Sequence, residues 1–171
     1  MKPVREQLEF LGRHEIECVI VGGVAATLHG SAIPTTDLDI CYSRSPPNLQ
    51  KLATALQSVH ARLRNAPADL PFRLDEETLR KGLNFTFVTD VGDLDLLGEV
   101  RGIGFYAETV EGASSFEVVG YEFKVIALDK LIIAKRTAGR AKDLGVLPEL
   151  EAIWERQLRE AADELKTEDH E

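Results

Sequence analysis

Two hydrophobic periods alternate along this chain, and the points where one gives way to the other mark its elements. Val4, Leu8 and Leu11 recur at helical spacing, which predicts an amphipathic helix over residues 4–13. A continuous apolar run at 17–21 predicts a strand that stops at Gly22-Gly23, and the Ala-rich stretch 24–30 a short helix closed by Gly30. After the loop SAIPTT, the run 38–42 returns as a strand. Pro46 and Pro47 open a helix over 48–63 that buries Leu49, Leu52, Ala53, Leu56 and Val59. Residues 64–80 are charged and broken by Pro67 and Pro71, so a loop excursion is expected there.

Strict alternation resumes in LNFTFVT (83–89), which predicts a strand turning through Asp90-Val91-Gly92 into an antiparallel partner at 93–97. A second hairpin is expected over 117–125, turning at Gly120. A helix over 127–137 follows, then an interruption at Gly139 and a terminal helix over 148–165. The pattern predicts an α+β (α/β) class, a mixed β-sheet with flanking helices. It divides into a core at 1–126, a C-terminal helical segment at 127–165 packing on that core, and an acidic tail at 166–171 expected to be disordered.

Composition narrows this picture. A hydrophobic fraction of 44% supports a buried core, and an aromatic fraction of 6% leaves the packing to Val, Ile, Leu and Ala. The opening MKPVREQLEF is too charged for a signal peptide, and no apolar run approaches the ~18 residues of a membrane span, so a cytoplasmic protein with no membrane partner is expected. Cys18 and Cys41, without metal-ligand spacing, read as two buried thiols. A formal charge of −9 disfavours RNA or DNA as a partner. The segment 124–142 is nonetheless basic, with Lys124, Lys130, Lys135, Arg136, Arg140 and Lys142, and suits a small anionic substrate.

The chemistry concentrates where a folding pattern alone would not place it. Asp37 and Asp39 stand two apart in D-L-D-I, so they share one side of a strand about 6.6 Å apart, while Leu38 and Ile40 face the core. Such a pair is either a solvated strand face or a pair of ligands for a hard cation such as Mg²⁺ or Mn²⁺. Asp93 and Asp95 repeat the arrangement in GDLDLLGEV. Asp95, flanked by leucines, is the expected third carboxylate of a two-metal phosphoryl-transfer site, and Asp93, just after the turn, is expected in solvent. Gly22 and Gly23, between a strand and a helix, are either geometric or an exposure of backbone amides to phosphate. Lys135 and Lys142 are seven apart and share a face if the helix continues through Gly139; with Arg140 they are either solvated charges or phosphate partners. His29 reads as a helix-end residue, and Asp143 as a partner of Arg140 or a helix cap.

The order glycine turn, helix, Thr-rich loop, D-x-D strand and distant third aspartate resembles the DNA polymerase β-like nucleotidyltransferase superfamily. Within it, GGVAATLHG followed by SAIPTTDLDI looks most like the AbiE-type toxin nucleotidyltransferase group and its uncharacterised relatives, as does Lys135-x-x-x-Gly139-Arg140-x-Lys142-Asp143. The resemblance spans about residues 15–150. It implies a nucleotidyltransferase fold and transfer of a nucleoside monophosphate from a nucleoside triphosphate such as ATP to a hydroxyl of a protein, an RNA end or a small molecule. It also implies Mg²⁺ or Mn²⁺ on Asp37, Asp39 and Asp95, and nucleotide contacts from Gly22, Gly23, Thr35, Lys135, Arg140 and Lys142. A toxin role with a cognate antitoxin is a further implication. Ile33 stands where the group carries an arginine, a departure that bears on catalytic rate and nucleotide choice. The alternative is a non-catalytic nucleotide-binding or protein-interaction module retaining the fold.

Overall fold

The computed structural model describes residues 2–67 and 69–168. The elements run α1 (Lys2–Arg13), β1 (Cys18–Val21), α2 (Gly22–Leu28), β2 (Leu38–Tyr42), α3 (Pro46–Ser58), β3 (Arg62–Leu63) and α4 (Glu76–Lys81). They continue through β4 (Asn84–Thr89), β5 (Gly92–Leu97), α5 (Tyr106–Val110), β6 (Ser114–Val118), β7 (Tyr121–Val125), α6 (Leu128–Ala138) and α7 (Ala141–Glu168). The strands form one mixed sheet in the order β3-β4-β5-β2-β1-β7-β6.

β1 and β2, at the middle, are antiparallel to each other and each takes a parallel outer neighbour, β7 and β5. A central strand covered on both faces reads as a continuous apolar run, which is why CVIV is buried throughout. In β2 the alternation is visible: Leu38 and Ile40 are fully buried, while Asp39 between them is not. α1 packs against β5 and β7, α2 against β1, β2 and α6, and α7 against α6. Among the described residues, no helix is long and apolar enough to cross a membrane. Cys18 and Cys41 are both buried, and neither is in a disulfide.

Local signals settled several boundaries. The first hairpin turns where Gly92 takes a φ of 118°. The second turns through Val119 and Gly120, both left-handed (φ 50° and 82°), as a primed two-residue turn demands. α6 ends at Gly139, whose φ of 66° lets its N–H bond the Lys135 carbonyl.

Other expectations need correction. The helix expected over 48–63 ends at Ser58. His60 then turns left-handed (φ 49°), and Arg62–Leu63 becomes an edge strand pairing with Val88 and Phe87. The expected loop at 64–80 contains α4, started by Asp75, whose Oδ1 accepts the Thr78 N–H at 2.9 Å, and anchored by buried Leu79. The terminal helix begins at Ala141, and Pro148 lies inside it. Val146, Leu147, Leu150 and Ile153 bury one face of that helix, and this packing outweighs the hydrogen bond Pro148 removes. Of the tail expected at 166–171, residues 166–168 complete α7, and 169–171 lie outside the described residues.

Candidate active site

β1 ends at Val21, which pairs with Asp39 of β2. β2 in turn runs parallel to β5 with Asp39 opposite Asp95, and β5 pairs with β4 with Asp95 opposite Thr86. Register partners project to the same side of a sheet, so these pairings bring two carboxylates from distant parts of the chain to one surface. That surface is the floor of a cleft of about 590 Å³. Gly22, Gly23, Thr35, Asp37, Asp39 and Asp95 line it on the sheet side, and Lys135, Arg140 and Lys142 on the side of α6 and α7. Asp93 does not line it and is the more exposed of the β5 pair, at 42% against 21% for Asp95.

The glycines are required by close approach. A Cβ on Gly22, whose φ is +66°, would stand 2.2 Å from Asp39 Oδ2, and one on Gly23 would stand 2.6 Å from Thr35 Oγ1. Both residues lie inside the first turn of α2 rather than in a turn before it. Thr35 Oγ1 donates to the Asp37 carbonyl at 3.4 Å, and Thr36 Oγ1 to Asp37 Oδ1 at 3.4 Å. The loop itself is held from α7: Glu149 accepts from Ser31 Oγ at 2.6 Å and from the Ala32 N–H at 2.8 Å. Ile33 is 48% exposed on the cleft wall, so a carboxylate on another helix braces this loop where an arginine was expected. His29 caps α2, its Nε2 lying 2.7 Å from the Ile126 carbonyl.

Lys135 and Lys142 do not share a helix face, because α6 stops at Ala138 and α7 starts at Ala141. They meet in the cleft because the two helices fold back against each other around Asp143. Its carboxylate is fully buried, accepting from Lys135 Nζ at 3.0 Å and from Arg140 Nε at 2.6 Å. Burial pushes the Asp143 carboxyl up, but those two hydrogen bonds outweigh it and hold it below the ordinary value. Among the described residues Lys142 has no ion-pair partner, and its charge reaches Asp39.

Burial first, then the charge of Asp95, pushes the Asp39 carboxyl up to about 6, against the pull of Lys135 and Lys142. Asp95 is also raised by burial, and opposed by Arg64, whose Nη2 donates to Asp95 Oδ1 at 2.7 Å. Among the described residues no three His, Cys, Asp or Glu side chains are gathered closely enough to hold a metal ion. The expected Asp37, Asp39 and Asp95 set therefore lines one cleft without closing into a three-ligand cage: like charges repel, and Arg64 draws Asp95 to itself. Asp37 and Asp39 still fit a hard cation, since they offer oxygen donors only and no cation pairs with either among the described residues.

Nothing in the sequence pattern singles out Arg64 or Glu149. Arg64 sits in a stretch without periodicity and enters the site only through the pairing of Leu63 with Phe87. Glu149 looks like any solvated helix charge until α7 packs beside the Ser31 loop.

Residues 87–169, just under half of the 171-residue chain, match the model of a family described as nucleotidyl transferase of unknown function (DUF2204). No curated protein sequence matches the chain. Among solved structures it resembles the lincosamide antibiotic adenylyltransferase LnuA in a lincomycin-bound form, with a TM-score of 0.58 and 14% identity over 89% of this chain and 96% of that one. A candidate nucleotidyltransferase from Thermotoga maritima gives a TM-score of 0.52 and 16% identity, covering 85% and 88% of the two chains. The antibiotic-resistance factor ANT(2'')-Ia gives 0.50 and 13%, covering 98% and 95%. At these identities the likeness is one of fold. The chain thus carries the nucleotidyltransferase fold, and residues 87–169 match a nucleotidyl transferase family.

Proposed function

We propose that this chain moves a nucleoside monophosphate from a nucleoside triphosphate to a hydroxyl acceptor in the cleft between the strand ends and α6–α7. The observation that carries this reading is the pairing of Asp39 with Asp95 across β2 and β5, opposite three basic groups in one cleft. Asp37 and Asp39 would hold a divalent cation, Mg²⁺ or Mn²⁺, which when bound neutralises the triphosphate and polarises the α-phosphate. Lys135, Arg140 and Lys142 take up charge on the phosphates, and Thr35 offers a hydroxyl beside them. Asp95, on the β4–β5 side of the cleft, receives the proton of the acceptor hydroxyl. The acceptor oxygen bonds to the α-phosphorus, the bond from that phosphorus to the pyrophosphate oxygen breaks, and pyrophosphate leaves.

A small-molecule acceptor and ATP as the donor are the first choices to test, because LnuA is by name an adenylyltransferase of an antibiotic. Net charge counts against an RNA acceptor. A toxin role with an antitoxin partner rests on the motif resemblance alone. One observation favours the alternative of a non-catalytic nucleotide-binding module: Asp143 already engages Lys135 and Arg140, two of the three basic groups.

The test incubates the protein with each labelled triphosphate, Mg²⁺ or Mn²⁺ and a cell extract, with Asp39→Asn alongside. Label transfer by the wild type and not by the variant is expected. Transfer that persists in the variant rejects this assignment of the site, and nucleotide binding without any transfer selects the binding module.

A further inference from the structure

Arg64 does not itself line the cleft but reaches its Asp95 from the sheet edge. It is the residue immediately after β3, where its backbone N–H still bonds the Thr86 carbonyl at 2.8 Å. Asn65 then turns left-handed (φ 58°), so the chain leaves the sheet directly after placing this side chain. The guanidinium lies across β4 and β5: Nη2 donates to Asp95 Oδ1 at 2.7 Å and to the Phe87 carbonyl at 3.4 Å, and Nε stands 3.4 Å from Asp93 Oδ2. Arg64 is 24% exposed and Asp95 21%, which removes this pair from the class of solvated surface bridges that contribute little.

The contact has a consequence for the reaction proposed above, on which this inference rests. Asp95 must keep one orientation while acceptors come and go, yet it shares its surface with Asp37 and Asp39, which repel it. A planar guanidinium fixed by a strand end and a backbone carbonyl restrains a carboxylate in a way that a mobile ammonium does not. We propose that Arg64 is the positioning residue of the transfer: it grips Asp95 by Oδ1 on the acceptor side of the cleft. The triphosphate is left to Asp37, Asp39 and the basic groups of α6 and α7. Displacing a reacting group by about 1 Å costs on the order of 10²-fold in rate, so holding Asp95 matters for turnover rather than for nucleotide affinity.

The experiment compares wild type, R64Q, R64K and D93N in the labelled-triphosphate assay with cell extract, and measures their thermal unfolding. R64Q is expected to lower kcat by roughly 10- to 100-fold with the triphosphate KM within about twofold of wild type. R64K, keeping charge without the fork, falls between R64Q and wild type. D93N removes the other carboxylate that Arg64 meets and is expected to stay within about twofold of wild type in kcat. A purely structural brace predicts instead that R64Q and D93N lose activity together, or that KM and kcat shift in parallel; either result overturns the proposal. Wild-type turnover in R64Q overturns it as well. If R64Q does not fold, R64K decides, and wild-type turnover there is equally fatal. A wild type that binds triphosphate but transfers nothing rejects the transferase reading and, with it, any role for Arg64 in transfer. Transfer by wild type with indifferent Arg64 variants rejects Arg64 alone.

Discussion

Asp39 and Asp95 face the same cleft as register partners on adjacent parallel strands, and of the two, among the described residues, Asp95 alone is ion-paired, to Arg64. Burial raises both carboxyls, and it raises the more deeply buried Asp39 further. Asp39 is pushed up to about 6, while Arg64 works against the rise at Asp95.

Asp39 should cost the folded state stability at neutral pH. Its folded value of about 6 lies above the ordinary 3.8, so its contribution to stability is full below about pH 3.8 and is lost as pH rises through about 6. Without Mg²⁺ or nucleotide, Asp39→Asn is expected to be more stable than wild type by at most about 3 kcal/mol at pH 7.5, and this gain should vanish near pH 4. Urea unfolding at the two pH values measures it. An equal gain at both would mean that the charge of Asp39 is not what strains the site.

The Gly22 position should tolerate no side chain. Its φ of +66° and the 2.2 Å approach to Asp39 Oδ2 are both incompatible with alanine. Gly22→Ala is expected to lose about 2–3 kcal/mol in stability and most of any transfer activity. The three atoms nearest a Cβ on Gly23 all belong to the Thr35 side chain, so adding Thr35→Gly to Gly23→Ala should restore part of its stability, as thermal melts would reveal.

Two neighbours in α7 should separate stability from binding. Asp143 is buried with Lys135 and Arg140 upon it. Asp143→Ala leaves Lys135, 15% exposed, without its partner, while Arg140, 64% exposed, turns to water, at a cost of about 3 kcal/mol at pH 7. Lys142, without an ion-pair partner among the described residues, should behave oppositely: Lys142→Ala is expected to shift stability by less than about 0.5 kcal/mol while weakening triphosphate binding several-fold. Calorimetry with a non-hydrolysable triphosphate and Mg²⁺ tests both.

Gly145 provides a contrast to the cleft glycines. It sits inside α7 with nothing within 4 Å of an added Cβ, so Gly145→Ala should stabilise the protein by about 0.5–1 kcal/mol and leave transfer unchanged. A loss of stability there would show that α7 needs flexibility beside Pro148.

Much of the architecture was legible because it rests on local chemistry. The D-L-D-I alternation placed Leu38 and Ile40 in the core and Asp39 on the cleft, since side chains in a strand alternate whatever surrounds them. The two hairpins and the end of α6 were legible at Gly92, Gly120 and Gly139, where a left-handed backbone favours glycine. Alternation and glycine geometry act within a few residues, so one sequence suffices to read them.

What the tertiary structure alone decided is long-range. The pairing of Arg62–Leu63 with β4 delivers Arg64 to Asp95, and no periodicity in that segment announces it. Packing of α7 carries a helix through Pro148 that propensity would have ended there, and the same packing brings Glu149 to the Ser31 loop. Lys135 and Lys142 meet in one cleft because two helices close around a buried Asp143, not because seven residues separate them. Sequence alone specifies which residues carry charge and, within a strand, which side they face. Which charges meet was decided by burial and strand register, because those free energies belong to the whole core and not to any one segment.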